Sequence, residues 1–120
     1  MALGSPALVS RLLAGFVAAT LVVAATSVPA RADDPVFRIE FSDGKMTPQR
    51  LDVPANTRFK LELVNSGTTP AEFESVELRK EKVIAPGVTT SMVIKNLDPG
   101  EYHFFDDFHL DTPPALLVAK

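Results

Sequence analysis

Arg58-Phe59-Lys60-Leu61-Glu62-Leu63-Val64 decides the class of fold. Phe59, Leu61 and Leu63 alternate with Lys60 and Glu62, and a period of two places the apolar side chains on one face of an extended strand and the charged ones on the other. The stretch stops at Asn65-Ser66-Gly67-Thr68-Thr69-Pro70, residue types that build turns. Upstream, Val36-Phe37-Arg38-Ile39-Glu40-Phe41 alternates in the same way before Ser42-Asp43-Gly44-Lys45 turns the chain. Met46-Thr47-Pro48 then leads into Arg50-Leu51-Asp52-Val53, which ends at the turn Pro54-Ala55-Asn56-Thr57. Downstream, residues 71–78 read as a strand with Phe73 on one face and Glu72 and Glu74 together on the other. Arg79-Lys80-Glu81-Lys82 reads as a solvated charge run, followed by a short strand at Val83-Ile84 and a turn at Ala85-Pro86-Gly87. Further strands are predicted over residues 91–95, 101–105 and 115–119, with a loop over 106–114. No window of this part of the chain keeps an apolar period of 3.6, and seven or eight short strands separated by turn signals predict an all-β, Greek-key β-sandwich.

The first thirty-two residues are of another kind. One early cation, Arg11, precedes an apolar stretch over residues 12–25, and the segment ends in Pro29-Ala30-Arg31-Ala32, with the A-x-A spacing of a signal peptidase site. About fourteen apolar residues fall short of the roughly 20 needed to span a bilayer. The expectation is a signal peptide over residues 1–32, cleaved after Ala32, and one domain over residues 33–120 released into the periplasm without stable membrane insertion. Without Arg11 and Arg31, ten basic residues face fifteen acidic ones, a formal charge of −5. Such a surface lacks the cationic field that nucleic acid requires, and it attracts metal ions or basic protein patches. The chain has no cysteine, so no disulfide and no lipid-bearing thiol is available; the core or a bound metal must hold the fold.

Leu97-Asp98-Pro99-Gly100-Glu101-Tyr102 carries the L-x-P-G-x-Y pattern of a tyrosine corner, in which the phenol ties back to nearby backbone. It stands in order with Phe37-x-Ile39 ahead of Met46-x-Pro48, Val53-Pro54-Ala55-Asn56, Leu63-Val64-Asn65, and His109 before Leu116-Leu117-Val118. In that order the chain resembles the cupredoxin-like family over nearly all of residues 33–120. More narrowly, Ala71-Glu72-Phe73-Glu74-Ser75, Glu81-Lys82-Val83, Pro86-Gly87 and Phe104-Phe105 running into Phe108-His109 look like the small periplasmic cupredoxin-like proteins of bacterial ferrous-iron permease systems. The resemblance implies a copper- or iron-binding accessory of iron uptake, with a membrane iron permease or its periplasmic components as partner and with delivery of the ion or assistance to Fe(II) oxidation as its task. Two other readings stay open: a copper electron-transfer or oxidase component, and a metal-free interaction module that contacts a permease.

The departure from the family is equally informative. A blue-copper protein of this kind presents Cys, His and often Met from the loop between its last two strands. Here Asp106 stands near the Cys position, His109 matches the loop His, and no Met follows it. Such a protein also presents a first His from the segment after the Asn-ended strand, and near that position stand Glu72 and Glu74, both aimed one way by strand alternation. The metal set expected from the resemblance is therefore Glu72, Glu74, His109, Met46 and Asp106, a non-blue site suited to a harder or borderline ion. Met46 is placed near the site end of the sandwich in related folds and would add a thioether, or else fill the core. Met92 reads as packing, His103 as solvent-facing, and Phe104, Phe105 and Phe108 as an apolar wall beside the loop. No nucleophile stands beside a base, and no G-x-S-x-G or phosphate-binding glycine loop occurs, so nothing points to a hydrolase.

Overall fold

The computed structural model describes residues 33–120 and, before them, the single positions Gly4, Gly15 and Ala19. The segment read as a signal peptide thus lies outside the described residues. Nine strands follow one another: β1 Val36–Ser42, β2 Lys45–Thr47, β3 Arg50–Val53, β4 Phe59–Asn65, β5 Ala71–Ser75, β6 Lys80–Ile84, β7 Thr89–Ile94, β8 Gly100–Asp106 and β9 Ala115–Ala119. They form two mixed sheets, one ordered β2-β1-β4-β7 and the other β3-β9-β8-β5-β6. The pairs β1–β4 and β3–β9 are parallel and the rest antiparallel.

The count is nine where the sequence predicts seven or eight, for two local reasons. Lys45–Thr47, which reads as a link, folds back on β1 with Phe41 opposite Met46. The charged run 80–82 does not interrupt the chain but forms most of β6, an outer strand whose first four residues are exposed. Charges on a sheet edge discourage pairing with another chain. The strand predicted over 71–78 ends sooner, at Ser75, where the hydroxyl accepts the Leu78 amide (3.3 Å) and the chain turns through Arg79 at φ 54°.

Alternation along the strands assembles the core. Phe59, Leu61 and Leu63 of β4 are fully buried, and they meet Ile39 and Phe41 of β1, Phe73 of β5, Phe104 of β8 and Leu117 of β9 between the sheets. Phe73 and Phe104 stack with centroids 5.5 Å apart, and Phe37 meets Phe59 edge-on at the same distance. Each of the fully buried rings, Phe59, Phe73 and Phe104, contributes about 1.5–3 kcal/mol relative to exposure. Tyr102 closes the corner anticipated from its motif, its hydroxyl donating to the Asp98 carbonyl at 2.8 Å. At the far end of β4, buried Asn65 donates to the carbonyls of Thr69 and Ile84, both at 2.9 Å, and accepts the Gly67 amide at 3.0 Å. That side chain fixes the β4–β5 loop over the end of the sandwich where the loop between β8 and β9 also returns.

Candidate metal centre

β5 sorts its residues by alternation: Ala71, Phe73 and Ser75 point into the core, while Glu72 and Glu74 lie half-buried on the outer face. β8 runs beside it with Phe73 opposite Asp106 and Glu74 opposite Phe105, so the next step brings Asp107 alongside Glu72. The Asp107 amide donates to the Glu72 carbonyl at 3.0 Å and secures that register. As a result, Glu72, Glu74 and Asp107 each offer a carboxylate oxygen within 4.8 Å of the other two. It is the one such group of potential metal-ligating side chains among the described residues.

These three charges repel one another. The pKa of Glu72 is raised, first by partial loss of water and then by the nearby charges of Asp107, Glu81 and Asp106. Glu74 is raised in the same order of causes, by desolvation and then by Asp107, Glu72 and Glu81. A divalent ion would remove this repulsion, and three carboxylate oxygens are the donor type that hard or borderline ions prefer.

Asp106 and His109 are placed differently. The Asp106 side chain is wholly buried, one oxygen accepting the amides of Glu72 (3.0 Å) and Phe108 (3.1 Å) and the other facing His109 Nδ1 at 2.8 Å. His109 Nε2 stands 3.1 Å from the Thr69 hydroxyl. Neither residue joins the group formed by Glu72, Glu74 and Asp107. Met46 is 1% exposed and packs in the core with the neighbouring apolar side chains. Thus the five residues expected from the resemblance fall into three settings: two glutamates on the outer face, the Asp106–His109 couple at the end of the sandwich, and Met46 inside. His103 is exposed as expected and pairs with Glu77 at 3.1 Å. Of the aromatic wall only Phe104 is buried; Phe108 is half exposed.

Sequence reasoning missed Asp107 as a partner of the glutamates. The signal was present, since a strand that turns Asp106 inward must turn Asp107 outward, but its use required the β5–β8 register. It also missed Asp43, whose carboxylate accepts the amides of Thr68 (3.0 Å) and Thr69 (2.9 Å) and the Thr69 hydroxyl (2.7 Å). These bonds, led by that from the Thr69 hydroxyl, lower the pKa of Asp43.

The cupredoxin-like domain family matches residues 13–119. The uncharacterized protein RP394 of Rickettsia prowazekii (strain Madrid E) is 30% identical over 107 residues, covering 88% of this chain and 86% of the relative. Among solved structures, auracyanin B superposes with a TM-score of 0.63 at 13% identity, over 77% of this chain and 93% of that one. A purple cupredoxin from Nitrosopumilus maritimus gives 0.53 at 17% identity, over 69% and 98%. At these identities the structural likeness speaks for the fold, and it agrees with the two mixed sheets and the tyrosine corner. This chain belongs to the cupredoxin-like domain family.

Proposed function

We propose that this domain is a periplasmic, metal-binding accessory of iron uptake that holds a copper or iron ion at a non-blue site and passes it to a membrane permease or its periplasmic components. The convergence of Glu72, Glu74 and Asp107 carries the reading. Glu72 and Glu74 belong to the Glu-aromatic-Glu segment in which the chain resembles cupredoxin-like proteins of ferrous-iron permease systems, and Asp107 is the third oxygen donor that the fold adds. When bound, the ion would supply charge neutralisation and, if copper or iron, a redox centre. The chain supplies the oxygens, their spacing, and the absence of a thiolate. That absence weighs against the copper electron-carrier reading, because fast blue-copper transfer depends on a Cys ligand.

Calorimetric titration of the purified protein with Fe(II), Cu(II) and Zn(II), each followed by thermal unfolding, tests the proposal. Binding of at least one ion well below about 1 mM, with a matching rise in unfolding temperature, is expected. An absence of binding and of stabilisation by all three ions would instead favour a metal-free interaction module.

A further inference from the structure

Three loops meet beside His109. The turn between β1 and β2 holds Asp43 at φ 47° and Gly44 at φ 93°, and a side chain at Gly44 would come within 3.3 Å of the His109 Cβ. The β4–β5 loop passes so close that a Cβ on Gly67 would lie 2.7 Å from the Asp43 amide nitrogen. From this contact a continuous chain of hydrogen bonds runs across the end of the sandwich. Asp43 takes the Thr69 hydroxyl at 2.7 Å, the Thr69 oxygen meets His109 Nε2 at 3.1 Å, and His109 Nδ1 meets Asp106 at 2.8 Å. The chain ends on the amides of Glu72 and Phe108, held by the second Asp106 oxygen. Asp107 sits between two anchored neighbours, its own amide bonded to Glu72.

Three carboxylates that repel one another spread apart unless the backbone carrying them is fixed, and a fixed imidazole with both nitrogens engaged has no free position toward an ion. We propose that Asp43, Thr69, His109 and Asp106 form a clasp in which His109 is a positioning residue, holding Asp107 beside Glu72 and Glu74, and is not itself a metal ligand. The metal-dependent part of this inference rests on the carboxylate-site reading; the clasp itself does not.

The test uses Thr69→Val, Asp43→Ala, Asp43→Asn and His109→Gln, with two independent readouts. In the metal-free protein, amide hydrogen exchange at Phe108, His109 and Thr112 should rise about fivefold or more in Thr69→Val and Asp43→Ala, the scale of one hydrogen bond. Asp43→Asn keeps an acceptor oxygen and should restore most of the protection. Unchanged exchange in both Thr69→Val and Asp43→Ala would overturn the clasp. In the Cu(II)-loaded protein carrying His103→Gln, pulsed EPR should show no imidazole nitrogen coupling, and Thr69→Val should weaken Cu(II) binding about fivefold although Thr69 is no part of the carboxylate group. An imidazole coupling that disappears in His109→Gln would overturn the positioning role and make His109 a ligand. Failure of the protein to bind Cu(II), Fe(II) and Zn(II) alike would sink the carboxylate-site reading while the exchange experiment still decides the clasp.

Discussion

Asp106 and Asp107 are neighbours in the chain and opposites in the structure. Asp106 turns inward, loses all contact with solvent and has every acceptor matched, by two amides and an imidazole. Asp107 turns outward to stand with Glu72 and Glu74, where like charges gather and raise the pKa values of both glutamates. One carboxylate thus contributes to the fold and the other to a surface of gathered carboxylates. Strand alternation alone makes the separation, so a one-residue slip of β8 against β5 would exchange the two roles.

The largest effect should come from breaking the inward side. Asp106→Ala leaves the Glu72 and Phe108 amides and His109 without their shared acceptor, and stranding hydrogen-bonding groups in this way costs roughly 1–3 kcal/mol for each one left buried and unpaired. Asp107→Asn should change the stability of the metal-free protein by less than about 0.5 kcal/mol. Urea unfolding of the two variants side by side measures the contrast, and comparable losses would erase it.

Next in size is the metal response of the outward side. Glu72→Gln removes a charge and keeps the shape, and it should weaken ion binding at least tenfold, about 1.4 kcal/mol. Glu74→Gln should do the same, with the double variant losing less than the sum because the donors act as a unit. The Cu(II) form should show no intense thiolate-to-copper absorption, since the chain contains no thiol. An intense blue band from the monomer would contradict the ligand assignment.

The fold was legible because it is written in a period of two. The alternation of Phe59, Leu61 and Leu63 became the core face of β4, and the motif ending at Tyr102 became the corner it signals. β2 escaped notice because three residues show no period, and the charge run of β6 because an edge strand can be polar on both faces. The site was half legible. Glu72 and Glu74 share a face by spacing alone, but Asp107 joins them only through a pairing between strands about thirty residues apart in sequence, which no local pattern encodes. Resemblance to the family grouped Asp106, His109 and Met46 with the glutamates. Burial of Asp106 and Met46, and the engagement of both His109 nitrogens, set them in different surroundings.

The smallest effect is the response to pH. Glu72 and Glu74 have folded pKa values above their ordinary range, so their contribution to stability is fully present below the unfolded value and is lost as pH rises through the raised folded value. Asp43 behaves in the opposite sense: its pKa is lowered, and its contribution is present above the unfolded value and lost as pH falls through the folded one. Asp43 is exposed and the two glutamates are partly so, and salt should therefore flatten the dependence. Unfolding measured between mildly acidic and neutral pH should therefore show a shallower loss in Glu72→Gln than in the unaltered protein, whereas ion binding should strengthen over the same rise in pH as the carboxylates ionise.

In the proposed site the outward carboxylates take the ion and the loop histidine does not. Cu(II) titration of the unaltered protein beside Glu72→Gln, Asp107→Asn and His109→Gln tests it most directly. At least a tenfold loss of affinity is expected in each carboxylate variant and no more than about fivefold in His109→Gln, the loss that follows from a loosened clasp. A tenfold or greater loss in His109→Gln, with the carboxylate variants binding as the unaltered protein does, would contradict this assignment.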